Sequence, residues 1–265
     1  MSLEAELPGP TVGPVGVWGI GRLGSSLVAS LRALDLDVRE RRRDGDRPLS
    51  RWVEDLSVVC LAVQDGALTE VVEALREVDV SGRTVLVLSG ATALDVLAPL
   101  RKCGATVGKL HPLQTFTRVA YERIPPGTHF AIEGPIRELV APWVEAWDGV
   151  LHELSGDDWK VYHLAAVVAA NFLPLFIRAG AGFLRPLARD DQDALNWLEP
   201  LVSHSVAAAL DGAKDLPYSG PAIRGDRQTL DAHERLLEGL RPEWLPIYRL
   251  ASALIAEEGR KRLDG

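Results

Sequence analysis

VGPVGVWGIGRLGSSLVASLRAL, residues 12–34, decides the fold. Its first eight residues read as a buried strand, and RLGSSLVASLRAL (22–34) as a helix with apolar side chains at helical spacing. Between them Gly19-Ile20-Gly21-Arg22-Leu23-Gly24 forms a GxGxxG turn at the strand-to-helix junction. There the first glycine permits a tight turn, the second lets the backbone approach a pyrophosphate, and the third allows close helix–strand packing. The helix N-terminus adds unpaired N–H groups and the positive end of its dipole. The alternative is a glycine-rich turn that binds nothing.

Working outward, the same rhythm repeats. LDVRER (36–41), LSVVCLAV (56–63), RTVLVLSG (83–90) and ATVGKLHP (105–112) read as strands, with LTEVVEALREV (68–78) and ALDVLAPLRKCG (93–104) as intervening helices. FAIEG (130–134), PIRELVAPWVEAWDG (135–149) and VLHEL (150–154) complete a strand–helix–strand end. Strands alternating with helices of this length predict a doubly covered, mostly parallel sheet. Beyond it the chain reads as all helix: 157–184 broken only by Pro174, then 193–213, 229–240 and 243–263. The expected architecture is α/β, a Rossmann-like mostly parallel sheet followed by an all-α C-terminal domain. Its divisions are a tail at 1–10, a dinucleotide-binding domain at 11–155 and a helical substrate and dimerisation domain at 156–265.

Composition narrows the function. The 265 residues carry a formal charge of −8, with 47% hydrophobic and 25% charged side chains, which describes a globular chain and excludes a disordered one. That charge gives no footprint for nucleic acid, and Arg39 to Arg43, interrupted by Glu40, is too short for a groove-binding face. No uninterrupted apolar run approaches membrane-spanning length and the N-terminus lacks a secretory pattern, so the expectation is a cytoplasmic protein without a membrane partner. The two cysteines, Cys60 and Cys103, have no partner at a metal-ligand spacing, so no metal site is expected.

Cofactor choice rests about 20 residues past Gly19, where an acid selects NAD and cations select NADP. Guanidinium groups grip phosphate bidentately, so Arg41 and Arg42 point to NADP in preference to NAD. Glu40 keeps NAD open, as does a solvated turn in which the arginines balance Asp44 and Asp46. Ligands in such sheets bind at the C-terminal ends of strands, which places LAVQD (61–65, with Val63 and Gln64), LSGA (88–91) and HPLQTF (111–116) on one crevice. Ser89 can orient His111, and an imidazole beside a nicotinamide ring can serve as proton donor or acceptor. The alternative for His111 is a packed or capping residue. On the long helix, Tyr162-His163 and Asn171 lie roughly 12 Å apart on partly overlapping faces and can edge one cleft; a structural hydrogen bond is the alternative for Asn171 and for His163. Arg224 within SGPAIRGD (219–226) suits an anion clamp, and the loop equally suits an N-cap at Asp226.

GIGRLG, LAVQD, LSGA, HPLQTF, AIEG (131–134), YHLAAVVAAN (162–171) and SGPAIRGD, in this order, resemble a family of bacterial proteins with a Rossmann-like N-terminal domain and an uncharacterised helical C-terminal domain, described as candidate NADP-dependent oxidoreductases. The match spans nearly the whole chain. That family is similar in architecture to the 6-phosphogluconate dehydrogenase-like reductases, among them pyrroline-5-carboxylate, ketopantoate and deazaflavin-dependent NADP reductases, which dimerise through helical C-terminal domains. Ser89 and His111 also resemble the serine and His-Pro of prephenate dehydrogenases, whose histidine serves the oxidised hydroxyl. The lysine–asparagine spacing of β-hydroxyacid dehydrogenases is absent, since Lys160 precedes the helix body. The resemblance implies an NADP(H)-dependent oxidoreductase acting on a small polar carbonyl, imine or hydroxyl compound in an interdomain cleft. It also implies a homodimer through the helical domain, with His163, Asn171 and Arg224 on substrate. A different class, a non-catalytic NADP(H) sensor, uses the same fold.

Overall fold

The computed structural model describes residues 13–43, 45, 47–116, 119–211 and 218–263. The expected tail at 1–10 and the expected counter-charges Asp44 and Asp46 lie outside the described residues. Two compact units divide between Leu173 and Pro174. The sequence places that division at 155; it falls later because the first turns of the long helix pack against the sheet unit through Trp159 and Tyr162.

In the first unit the strands are β1 (Val15–Trp18), β2 (Val38–Arg41), β3 (Val58–Leu61), β4 (Thr84–Val87), β5 (Thr106–Pro112), β6 (His129–Glu133) and β7 (Val150–Glu153). They form one sheet in the order β2-β1-β3-β4-β5-β6-β7. Every neighbouring pair is parallel except β5 and β6. The reversal has a local cause: among the described residues, no helix crosses over between Pro112 and His129, so β6 re-enters from the opposite end.

Side chains alternate between two cores. Val15, Val17, Val58, Cys60 and Leu86 join Leu27, Leu31 and Trp143 on the face covered by α1 (Arg22–Arg32) and α5 (Arg137–Ala146). Trp18, Val59, Leu61, Val85, Val87 and Val107 face the other way, onto Trp52 of α2 (Leu49–Val53), Leu68 and Leu75 of α3 (Asp65–Arg76) and Leu100 of α4 (Ala98–Lys102). Continuous apolar runs such as VVCL follow from burial on both faces. The predicted helix at 93–104 is a 3₁₀ turn, Leu94–Leu97, running into α4, and the five-residue α2 is too short to announce itself by periodicity.

The long apolar segment starts as α6 (Asp158–Ala166), passes through a π-type turn at Val167–Asn171 and continues as α7 (Phe172–Leu184). The expected break at Pro174 is absent, which corrects the sequence reading. Proline cannot donate to the carbonyl four residues back, and a wide turn immediately upstream accommodates that missing bond. The resulting 27-residue helix is long and apolar enough to cross a membrane by length and composition, so the expectation that no segment meets that test is also corrected. Counting uninterrupted apolar residues missed it because His163, Asn171 and Arg178 punctuate the run.

The second unit continues with α8 (Asp191–Leu210), α9 (Pro221–Arg224), α10 (Arg227–Leu240) and α11 (Leu245–Leu263). Asp190 and Asp226 cap α8 and α10 by accepting from the backbone N–H of Asp193 and Thr229. The Asp226 cap agrees with one of the two sequence readings of SGPAIRGD.

Candidate active site

Because β1 to β5 are parallel, their C-terminal ends line one edge of the sheet, and the sequence-predicted segments stand along it in strand order. At the end of β1, Gly19 has φ of +101°, and a Cβ there would meet the Ala62 carbonyl oxygen at 2.5 Å. A Cβ on Gly24 would collide with the Gly19 carbonyl, so the turn and the helix can approach only as glycines. Gly21 is different: a Cβ there meets nothing within 4 Å, and as N-cap of α1 it offers no side-chain cap. Open space thus lies above the first-turn N–H groups of α1. Ile20 and Leu23 pack inward against the core, and Arg22 is exposed.

A cleft of about 300 Å³ lies beside this turn, lined by Gly19, Gly21, Val63, Gln64, Arg43 and Glu70 among others. It does not include the arginines the sequence favoured. Arg41 lies over the rings of Trp18 (4.9 Å) and Trp52 (5.7 Å) and donates from Nη1 to the Arg47 carbonyl at 2.9 Å. Burial pushes its pKa down. Arg42 is exposed, with its charge acting on the Tyr121 hydroxyl. Arg43, next in the same run, is the cation on the cleft. Glu40, the residue that kept NAD open, is held by Arg32 at 2.9 Å and accepts from the Tyr121 hydroxyl at 2.6 Å.

Further along the edge, a second cleft of about 490 Å³ is lined by His111, Leu113, Gln114, Thr115, His163, Ala165, Ala166, Val167, Ala169, Ala170 and Asn171. Every one of these belongs to the first unit. The structure therefore brings His111 together with His163 and Asn171, the pair that the sequence places at the edge of one cleft. Asn171 is exposed to the cleft rather than tied into the helix packing. The π-type turn shifts the helix register here, ending on Asn171. Arg224 is an exposed residue at the end of α9 in the second unit.

Ser89 does not meet His111. Its hydroxyl accepts from the N–H groups of Ala91 (3.1 Å) and Thr92 (2.9 Å) and donates to Thr92 Oγ1 at 3.1 Å. It closes the turn after β4, which corrects the role expected for it. The partner of His111 Nδ1 is the Tyr162 hydroxyl at 3.0 Å, which also donates to the His111 carbonyl at 3.2 Å. A single phenolic proton serves two acceptors. When it goes to the carbonyl, Nδ1–H donates to the phenol and Nε2 presents a lone pair; when it goes to Nδ1, Nε2 presents an N–H. The other side of the imidazole meets Gly90, where a Cβ would stand 2.9 Å from His111 Nε2 and 3.0 Å from His163 Nδ1. Two imidazoles thus converge on one glycine, and His163 Nδ1 is buried with no hydrogen-bond partner.

Burial, followed by the positive charge of Lys109, pushes His111 down to about 4, so it is neutral at pH 7. Burial likewise pushes the Tyr162 phenol above its ordinary value. Lys109 is wholly buried, and burial pushes it down to about 8 against the opposing pull of Glu133 and Asp65. Sequence reading passed over Lys109, Trp159 and the pairing role of Tyr162. A signal existed for the first: Val107, Lys109 and His111 alternate onto one face of β5, and a lysine at an inward position of a central strand needs a reason. Among the described residues, no group of three or more His, Cys, Asp or Glu side chains gathers.

Residues 128–255 match a family model described as a domain of unknown function, DUF2520. None of the curated proteins matches the chain. Among solved structures, a candidate NADP oxidoreductase from Bacteroides fragilis shares 21% identity at a TM-score of 0.72, over 93% of this chain and 98% of its own. A reductive aminase from Aspergillus terreus, in complex with NADPH4, cyclohexanone and allyl amine, shares 16% identity at 0.58, over 95% of each chain. A pyrroline carboxylate reductase from Plasmodium falciparum with NADP bound shares 10% at 0.55, over 94% of this chain and 98% of its own. At these identities the likeness establishes the fold: a Rossmann-like sheet unit followed by helices.

Proposed function

We propose that this protein is an NADP(H)-dependent oxidoreductase that moves a hydride to or from a small carbonyl, imine or hydroxyl compound. One observation carries the reading. The open glycine turn, the Val63–Gln64 rim and the His111 cleft follow one another along the single sheet edge where α/β folds hold dinucleotides. The space above Gly21 and the uncapped N–H groups of α1 suit a pyrophosphate. Arg43 is the candidate for the adenosine 2′-phosphate, and the commitment of Glu40 to Arg32 and Tyr121 favours NADP over NAD. The NADP complexes among the structural neighbours support the same choice.

When bound, the cofactor supplies or accepts the hydride. The residues do the rest. His111, neutral and turned by Tyr162, gives or takes a hydrogen bond through Nε2 at the reacting oxygen or nitrogen. His163 and Asn171 position the substrate from the helix wall. The exposed apolar faces of the helices support a homodimer. Side-by-side titration with NADPH and NADH, followed by reduced-nicotinamide fluorescence, tests the reading; binding of neither removes it. A panel of ketones and cyclic imines then tests turnover.

One observation favours the other reading, a non-catalytic NADP(H) sensor. An imidazole held near 4 is a weak base and, being neutral, a weak acid at pH 7. Tight NADPH binding with no hydride loss to any member of the panel would establish the sensor.

A further inference from the structure

The ammonium of Lys109 sits in a complete donor site inside the first unit. Nζ donates to the Thr92 carbonyl at 2.7 Å and to the Gly90 carbonyl at 3.2 Å, and lies 3.7 Å from the centroid of Trp159. Two carbonyl dipoles and one aromatic face account for its three N–H groups. Such a site is not what a strand interior needs for packing; an apolar side chain would fill the space without any desolvation penalty.

Each partner of that ammonium leads to His111. Gly90 is the surface against which the His111 and His163 imidazoles lie. The turn carrying it is fixed from two sides: Ser89 satisfies the N–H groups of Ala91 and Thr92, and Lys109 takes the carbonyls of Gly90 and Thr92. On the helix side, the Trp159 ring meets Tyr162 edge-on at 5.4 Å, and Tyr162 meets the His111 ring edge-on at 5.5 Å while bonding its Nδ1. Lys109 and His111 share one face of β5, two residues apart. The contacts close a ring: lysine to turn to imidazole, and lysine to tryptophan to tyrosine to the same imidazole.

We propose that Lys109 is the positioning residue of this site, holding the Gly90 turn and the Trp159–Tyr162 pair so that together they fix the place, orientation and charge state of His111. The inference deepens the oxidoreductase reading by adding a determinant of the imidazole it invokes. Charge follows geometry. A cation two residues away on the same strand face disfavours a second cation at His111, in keeping with the direction of that group's shift. The other ionisable groups acting on the pair are Glu133 opposite Lys109 on β6, Asp65 at the start of α3, and His163 and Tyr162 on α6. The lysine, pushed to about 8, loses its charge within an accessible range, whereas His111 itself stays neutral down to about 4.

The test is an NMR titration of histidine-labelled full-length protein between pH 3.5 and 10, with the His111 signals assigned by their loss in His111→Gln. It needs neither cofactor nor substrate, so its failure is separate from failure of the oxidoreductase reading. Wild-type His111 should show a displacement centred near pH 8 without becoming imidazolium, and its own protonation near pH 4. In Lys109→Met the step near 8 disappears and the His111 midpoint rises by about one pH unit or more, toward its ordinary range. Lys109→Arg, permanently charged, loses the step and keeps the low midpoint. A step near 8 that survives in Lys109→Met, or a His111 midpoint there equal to wild type, overturns the proposal. Should Lys109→Met fail to fold, Lys109→Arg decides: loss of the step supports the assignment and persistence overturns it.

Discussion

The two units solve the problem of apolar surface differently. In the sheet unit, alternate residues of β1, β3 and β4 are sealed between two helix layers, with Val15, Val59 and Leu86 all at 0% exposure. In the helical unit the buried apolar positions among the described residues are Ala179, Ala181, Ala194, Ala222, Leu230 and Leu237, while Trp197 (53%), Leu201 (64%) and Leu210 (81%) stand exposed on α8. A helix that leaves tryptophan and leucine in water presents the kind of apolar surface that marks an interaction site. The sheet unit carries a finished core, and the helical unit leaves apolar surface exposed, which the homodimer proposed above would cover with a second copy.

The sharpest way to break this contrast is to charge the exposed face. Trp197→Glu with Leu201→Glu should reduce the sedimentation mass from twice 28.8 kDa to one chain, the largest change expected. A wild-type protein that sediments as one chain, or that is recovered with membranes, would remove the homodimer and leave Asp158–Leu184 to be explained as a lipid-facing helix.

Changes in the sheet unit should act on chemistry and leave mass alone. His111→Ala should lower turnover of any accepted substrate by on the order of 100-fold with NADPH binding retained; unchanged turnover ends the role given to it. Arg43→Ala should weaken NADPH by on the order of 10-fold and leave NADH nearly as it was, a loss of about 1.4 kcal/mol. Equal losses of both nucleotides would contradict the Arg43 assignment, and a loss from Arg41→Ala with none from Arg43→Ala would return the phosphate to one of the two residues the sequence first favoured.

Stability offers a finer comparison. The folded pKa of Lys109, about 8, lies below its unfolded value of 10.5, so the unfolded chain binds more protons between those limits. Its contribution is thus unfavourable below pH 8 and relieved as pH rises toward 10.5. Urea unfolding at pH 7.5 and 9.5 should show wild type gaining about 1–2 kcal/mol relative to Lys109→Met over that interval; parallel behaviour would contradict the shift. In the helical unit, Asp226→Ala removes the cap of α10 and should cost about 1 kcal/mol at either pH.

The order of most β and α elements was legible in the chain because β1, β3 and β4 are buried on both faces and the longer helices carry their own period. The glycine turn was legible for a stricter reason. Gly19 is demanded by its own φ of +101° and Gly24 by the Gly19 carbonyl, so those constraints and the residues that meet them are close in sequence; the approach of Gly19 to the Ala62 carbonyl is tertiary. The helical nature of 157–184 was plain too. Its passage through Pro174 was not, because a π-type turn is a register adjustment and leaves no separate mark in the pattern.

The site divides along the same line. His111, His163 and Asn171 could be picked out one at a time as polar residues at strand ends or on apolar helices, but their meeting in one cleft is a tertiary fact. Ser89 was misread because its proximity in sequence to the strand end says nothing of whether its hydroxyl turns to an imidazole or to its own turn; two local N–H groups won. In the arginine run, three neighbours of identical chemistry differ only in where their guanidinium groups lie, and Trp18 and Trp52 take the first. Lys109 shows the limit most clearly. Sequence alone fixed its strand face and its spacing from His111; that its ammonium would find the Gly90 and Thr92 carbonyls and the Trp159 ring depended on bringing together segments 17 to 50 residues away, which only the folded packing of the sheet edge against α6 could do.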